Sequence, residues 1–440
     1  MANYKYMGTN IDVEFPLEYK AKEKEFRGVW VTPHIGDFKL SDNKEEMMDT
    51  LRGVINKIKE YNLNAVIFHV RYLNNALYKT RRAPIQKEIG TYESFEEWDY
   101  LKWFIKECHE NNIEFHAWLN PYRIQSNGFD ESVTVEDISK MYRDYPLNPA
   151  YSSDNILITH PSKGVTGAIL NPAKEVVQKH IIDVCKELME NYDIDAIHFD
   201  DYFYAIFTLD NDTLNEKDQD DYIAYIDSHK DCKFKADSVE DKKDWRRGNV
   251  NKFIHDLHLV IKEHNLKNNK SIQLGVSPTG IYKNGDGSVE SGSNTKGQEH
   301  YASYLFCDSL KWVKEGWIDY IIPQSYWGFG HPVAGYADVS EWWNKAVEGT
   351  QVNLYLGMGI YMTGNPNSYS WAEEGNYEAS NQVLYQSKLK NVLGTCIFAY
   401  RSIFSLEKET NPGYNGFKRL KEEYWKDFVL APDTKAKNKW

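Results

Sequence analysis

Short apolar runs alternate with longer amphipathic segments along nearly the whole chain, and this alternation restricts the fold more than any other feature. Runs of four to eight apolar residues read as strands, and the longer segments between them as crossover helices. Eight strands are expected: 27–32 (RGVWVT), 65–71 (AVIFHVR), 114–120 (EFHAWLN), 195–200 (DAIHFD), 272–277 (IQLGVS), 320–325 (YIIPQS), 353–359 (NLYLGMG) and 394–400 (GTCIFAY). Helices are expected over 44–61, 96–111, 173–192, 243–265, 303–315, 341–348 and 378–391, each preceding one of the last seven strands. Parallel strands joined by helices need both faces covered. The pattern therefore predicts an α/β chain closed into a (β/α)8 TIM barrel. Such barrels take about 250 residues, and more than about 400 with insertions, so the 440 residues suit one of them. An open doubly wound sheet would more often carry a Gly-rich nucleotide loop, and the sequence contains no G-x-G-x-x-G or P-loop.

Residues 25–410 are assigned to the barrel, 1–24 to an N-terminal extension, and 411–440 to a final helix with a polar tail. Long stretches follow strands three, four and five, at 125–163, 205–241 and 283–300. In barrels the loops after strand C-termini build the active site. Five widely spaced cysteines without a C-x-x-C pair argue against a disulfide framework or a zinc site. A net charge of −13 argues against a nucleic-acid partner, which is held through Lys and Arg on phosphates. No apolar run reaches membrane-spanning length, and the N-terminal residues lack the apolar core of a signal peptide. As written, the chain reads as cytoplasmic, or as secreted or wall-bound if a signal has been removed, with no membrane partner. No cofactor is implied.

The segment His198-Phe199-Asp200-Asp201-Tyr202 carries the sharpest chemistry. Strand alternation puts Ala196, His198 and Asp200 on one face and Ile197 and Phe199 on the other. Asp200 thus points into the barrel mouth, and Asp201 opens the loop. Two adjacent carboxylates are costly, and glycosidases need two carboxyl groups. An Asp pair that only caps a turn is the structural alternative. A second carboxylate from another loop is also open, with Asp286, Glu290, Glu299, Asp308, Glu373 and Glu374 as candidates. Polar and aromatic residues at other strand ends converge on the same face: His69, Arg71, Trp118, Asn120, Arg123, Ser277, Gln324, Tyr326, Trp327 and Tyr361, with His198 and Tyr202 beside the Asp pair. With 31 Tyr, 19 Phe and 13 Trp in the chain, ring faces are available to stack on a sugar. Arg71 or Arg123 could equally brace a loop. Four histidines on neighbouring strands, His34, His69, His116 and His198, keep a metal-dependent hydrolase open as a rival, although no H-E-x-x-H is present and no metal is assigned.

Together these segments resemble the bacterial glycosyl-hydrolase-like family ten, a group that includes cell-wall glycan hydrolases. The matching motifs are 25–32 (EFRGVWVT), 64–71 (NAVIFHVR), 114–123 (EFHAWLNPYR), 170–172 (LNP), 194–204 (IDAIHFDDYFY), 244–250 (DWRRGNV), 275–282 (GVSPTGIY) and 316–327 (GWIDYIIPQSYW). The resemblance implies a (β/α)8 barrel that hydrolyses glycosidic bonds in an oligosaccharide or polysaccharide, with peptide-free peptidoglycan strands as a candidate. It supports Asp200 and Asp201, assigned as catalytic, as site residues, and Arg71, Asn120, Arg123, Ser277, Gln324, Tyr326 and Trp327 as site lining; His69, Trp118, His198, Tyr202 and Tyr361 are assigned to substrate binding from their places at the strand ends. His69 departs from the usual Gln. The fourth strand is also similar to that of chitinases, through Asp195 and Asp200, but Tyr202 stands where their acidic Glu would be. A barrel that binds carbohydrate without cleaving it is the alternative of a different class.

Overall fold

The computed structural model describes residues 4–162, 165–204, 217–302, 305–373 and 376–437. Eight parallel strands close on themselves: β1 (Phe26–Val31), β2 (Ala65–Tyr72), β3 (Glu114–Leu119), β4 (Ala196–Phe199), β5 (Gln273–Val276), β6 (Tyr320–Ile321), β7 (Asn353–Gly359) and β8 (Val392–Phe398). Each pairs with its neighbours in sequence, and β1 pairs with both β2 and β8, which closes the barrel. The expected (β/α)8 barrel is the fold found.

Helices cover the outside: α1 (Lys44–Glu60), α2 (Tyr100–Glu110), α3 (Glu175–Asn191), α4 (Val239–Asn268), α5 (Ser309–Lys314), α6 (Tyr336–Ala346), α7 (Glu378–Gln386) and α8 (Tyr400–Leu406). The first shows why they form. The Asn43 side chain accepts from Glu46 N, which caps the helix, and Met47, Leu51, Val54, Ile55 and Ile58 make one buried stripe. Helix α4 starts four residues earlier than expected because Ser238 accepts from Asp241 N and caps it there. Strand β6 shrinks from six expected residues to two. Pro323 has no N–H to give a ladder, although Gln324 N still donates to Pro278 O at 2.9 Å. The stretch after β3 is more ordered than a loop: Arg123–Phe129, Ile156–Ser162 and Val165–Leu170 form a small antiparallel sheet. After β4, residues 205–216 lie outside the described residues, and the chain resumes into the helix Gln219–Ser228.

The two faces of the barrel wall carry different chemistry. Val29, Val66, Phe68, Phe115, Ile197, Phe199, Leu274, Leu354 and Ile397 face the helices in one large apolar core. Phe26, Trp30, Ile67, Trp118, Tyr320, Tyr355 and Cys396 fill the interior as a second cluster. Both faces are buried, so the strands read as nearly continuous apolar runs. Bulky interior rings need gaps opposite them. Gly275 pairs with Tyr320, and a methyl group at Gly275 would overlap the Tyr320 ring. Gly275→Ala is therefore expected to cost about 1–3 kcal/mol through overpacking, read as a lower denaturant midpoint.

The C-terminal segment does more than end the chain. Beyond the helix Tyr414–Arg419 it crosses the N-terminal mouth of the barrel. Ala431 joins the interior cluster, and Ala436 N donates to Asp319 Oδ1 at 3.1 Å. Four cysteines are buried and none of the five is paired. No described helix is long and apolar enough to cross a membrane.

Candidate functional site

The C-terminal ends of the strands surround a cavity of about 330 Å³. Every strand reaches it, directly or by the residues that follow. Trp30 and Thr32 come from β1, His69 from β2, Trp118 and Asn120 from β3, and Asp200 and Asp201 from β4. Ser277 follows β5, Gln324 and Tyr326 follow β6, Tyr361 follows β7, and Phe398 ends β8. Arg123 and Tyr202 complete the wall beside the Asp pair. Strand alternation explains the geometry: the residue after Phe199 must turn inward, so Asp200 faces the cavity while Phe199 packs outward.

The two carboxyl groups are buried side by side, Asp200 at 3% exposure and Asp201 at 9%. Asp200 Oδ2 accepts from Asn120 Nδ2 at 2.7 Å. Asp201 Oδ1 accepts from Gln324 Nε2 at 3.2 Å, and the same amide nitrogen donates to Ser277 O at 2.8 Å. Burial, and then the neighbouring Asp201 charge, push the Asp200 carboxyl up to about 7. Burial raises Asp201 as well, opposed by the Gln324 amide and the Arg123 charge. Arg123 lays its guanidinium over the Tyr202 ring, 3.1 Å from the centroid. Both carboxyls are therefore raised, and the two titrate as a pair.

Three buried polar atoms around the cavity, Asp200 Oδ1, Trp118 Nε1 and His69 Nε2, make no hydrogen bond of good geometry, although Trp118 faces Asp200 and Asn120 faces His69. Such atoms are costly unless a ligand or water meets them. The His69 ring lies flat on Trp118, with centroids 3.7 Å apart and planes 5° apart. Its Nδ1 is 2.8 Å from Thr32 Oγ1, which itself accepts from His34 N. Burial holds His69 well below the ordinary histidine range, so it is neutral.

Of the residues expected at the site, Asp200, Asp201, His69, Trp118, Asn120, Arg123, Tyr202, Ser277, Gln324, Tyr326 and Tyr361 line this cavity. Three do not. Arg71 is fully buried and donates to Asn120 O at 2.6 Å and Pro121 O at 3.1 Å, so it braces the backbone behind Asn120. His198 lies one layer below the cavity, between Tyr320 and Ser277. The Trp327 ring packs over Gly280. Trp30, Thr32, Ile35 and Phe398 line the cavity without having been singled out, and His34 does so having been noted only as a metal candidate. The inward parity of Trp30 and Thr32 on β1 was the signal available for them.

None of the alternative carboxylates within the described residues reaches the cavity. Asp286 is bonded within its own turn to Ser288 and Ser291. Glu299 accepts from Asn284 N, Asp308 caps α5, and Glu290 and Glu373 are exposed. Glu374 lies outside the described residues. Asp195 sits at the opposite end of β4, accepting from Phe115 N and facing His109. The four histidines do not gather: His34 and His69 line the cavity, while His116 and His198 sit on either side of Tyr320 beneath it. No three His, Cys, Asp or Glu side chains among the described residues group as metal ligands.

A family model described as glycosyl hydrolase-like 10 matches residues 25–373. Glycosyl hydrolase YngK of Bacillus subtilis (strain 168) is 29% identical over 395 residues, which span 87% of this chain and 69% of that protein. Glycosyl hydrolase DigH of Escherichia coli (strain K12) is 26% identical over 401 residues, spanning 87% of this chain and 84% of that protein. Among solved structures, the PgaB (BpsB) glycoside hydrolase domain from Bordetella bronchiseptica matches with a TM-score of 0.53. That match covers 93% of this chain and 100% of the other at 10% identity, a likeness of fold alone.

Proposed function

The chain belongs to the glycosyl hydrolase-like 10 family, and on that premise we propose that it hydrolyses O-glycosidic bonds in a glycan, with Asp200 as proton donor and Asp201 as its charged partner. The observation that carries this reading is the buried Asp200–Asp201 pair, in which burial raises both carboxyls and pushes Asp200 up to about 7. Departure of a sugar alkoxide needs a proton on the glycosidic oxygen, and the anomeric carbon then carries positive charge. Asp200 supplies the first need, and the Asp201 carboxylate faces the second. The Gln324 amide favours the ionised form of Asp201, and the Arg123 charge favours ionisation of both carboxyls. Trp118 Nε1 and His69 Nε2 are where sugar hydroxyls would bond, and Asp200 Oδ1 is left to face the glycosidic oxygen. Tyr326 and Tyr361 offer ring surfaces at the rim.

The pH dependence follows from the sign of the shifts. A general acid works only while protonated, so kcat is expected to fall as pH rises through about 7. It should fall again in acid, as Asp201 takes up a proton. The apparent midpoints belong to the pair rather than to either residue. A flat profile from pH 5 to 9 on a good substrate would remove Asp200 from the role of acid.

The direct test is a mass-spectrometric product screen. The family resemblance puts peptide-free peptidoglycan strands first, followed by chitin oligomers and common α- and β-glucans. A product that disappears in Asp200→Asn supports hydrolysis and gives the linkage class. Binding of a glycan with no product from any would favour a carbohydrate-binding barrel instead.

A further inference from the structure

A continuous line of hydrogen bonds runs through the barrel interior beneath the cavity. It begins at Glu114, on the N-terminal edge of β3, where Lys437 from the C-terminal segment and His116 both meet the carboxylate. His116 Nε2 is 3.1 Å from Glu114 Oε2. Its Nδ1 is 2.7 Å from Tyr320 Oη, and the same hydroxyl is 3.0 Å from His198 Nδ1. His198 Nε2 is 2.9 Å from Ser277 Oγ. Gln324 then spans from Ser277 O to Asp201 Oδ1. His116, Tyr320, His198 and Ser277 have no exposed surface.

The two ends of this line fix the direction of every proton in it. Trp30 Nε1 lies 3.4 Å from His198 Nε2, and an indole N–H can only donate. His198 Nε2 therefore carries no proton and accepts from Trp30 and from the Ser277 hydroxyl, whose other acceptor, Phe199 O, is farther away at 3.5 Å. Burial holds His198 well below the ordinary histidine range, so it is neutral, and its proton sits on Nδ1 and is given to Tyr320 Oη. A hydroxyl has one proton, and that of Tyr320 must go to His116 Nδ1. His116 then donates from Nε2 to Glu114. At that end burial alone would raise the Glu114 carboxyl, but its bonds to His116 and Lys437 outweigh burial and hold it well below the ordinary carboxylate range. An ionised carboxylate can only accept. Trp30 at one end of the interior sets this polarity, and the Glu114 carboxylate at the other end accepts in the same direction. A doubly protonated His116 would leave the Tyr320 proton without an acceptor.

We propose that Glu114, His116, Tyr320 and His198 form a proton-ordered relay across the barrel that fixes Ser277, and through Gln324 the position of Asp201. They are positioning residues, since none of the four lines the cavity. The Ser277 proton is drawn down toward His198, which locks the wall residue whose carbonyl holds the Gln324 amide. Buried polar networks of this kind specify one arrangement when every member is satisfied. Here the arrangement set at the N-terminal end of the barrel reaches the reacting carboxylate at the other.

The first test reads the protons directly and is independent of any glycan. Imidazole ¹⁵N NMR of the full chain, labelled at histidine, is expected to show His116 as the neutral Nε2–H form and His198 as the neutral Nδ1–H form. Tyr320→Phe keeps the ring and removes the shared hydroxyl, so it should move both sets of signals together. Ser277→Ala should move those of His198 alone, and it supplies the assignment if Tyr320→Phe does not fold. The same tautomer on both rings, or an imidazolium on either, would overturn the relay. The kinetic arm rests on the glycosidase reading. In folded Tyr320→Phe, kcat should fall about tenfold to a hundredfold with KM within about twofold. Unchanged kcat in a variant whose histidine signals have moved would overturn the positioning role. Absence of any glycan product would bear on the glycosidase reading and leave the tautomer result to stand by itself.

Discussion

Asp200→Asn is expected to lower kcat by about 10²–10⁴-fold while leaving glycan binding close to that of the unaltered protein. The amide keeps the shape of the carboxyl and can still accept from Asn120 through its oxygen. It cannot give up a proton to a leaving oxygen. Stability should move the other way. The folded-state pKa of Asp200 is raised to about 7 from an ordinary 3.8, so between those values the folded protein holds a proton that the unfolded chain releases. The contribution of Asp200 to stability is therefore best below that window and falls as pH rises through it. Asn carries no such penalty, and at pH 8 the variant should melt at a higher temperature than the parent. Loss of turnover together with gain of stability is the signature of a strained catalytic carboxyl. A variant that is equally active, or less stable at pH 8, would contradict the assignment of Asp200 as a buried acid.

The second large effect lies in the loop after β4. Asp218 precedes the helix Gln219–Ser228 and is fully buried. Its Oδ1 lies 2.8 Å from Lys242 Nζ and 2.5 Å from Arg246 Nη2, and its Oδ2 accepts from Arg246 Nε at 2.8 Å. Lys242 and Arg246 are buried too, one turn apart on α4. Burial would raise the Asp218 carboxyl, but the two cations outweigh it and hold it below the ordinary range. Breaking a buried ion network by removing one partner leaves charge without compensation and costs about 3–5 kcal/mol. Asp218→Ala is expected to destabilise the fold by that amount, measured by denaturant unfolding. Asp218→Asn, which keeps the shape and one acceptor, should cost less. If Asp218→Ala unfolds at the parental denaturant concentration, the network is not holding this loop to α4.

Much of this was legible in the residues themselves. The eight strands were found to within about two residues at most ends because a strand buried on both faces must be apolar throughout, and such runs stand out between amphipathic helices. Period-two alternation was enough to turn Asp200 inward and Phe199 outward, and the structure places both so. The same rule turns Trp30 on β1, and Thr32 just after it, inward. Strand β6 was overextended because apolar pattern reports burial, whereas a ladder needs the N–H that Pro323 lacks.

What the chain's order of residues determined was local: which segments are strands, which faces point inward, and where carboxylates meet a strand end. What only the tertiary structure decided is which of those inward groups meet. Arg71 and Asn120 both reach strand ends of matching parity, yet one braces backbone and the other holds Asp200. His198 shares the parity of Asp200 but sits one layer deeper, bonded to Tyr320 and Ser277 from strands far away in sequence. Depth within a barrel depends on strand tilt and on the register between neighbours, which no single strand records. The titration of the Asp pair has the same origin. Burial by the closed wall raises both carboxyls, while Asn120 after β3 opposes the rise at Asp200 and Gln324 after β6 opposes it at Asp201.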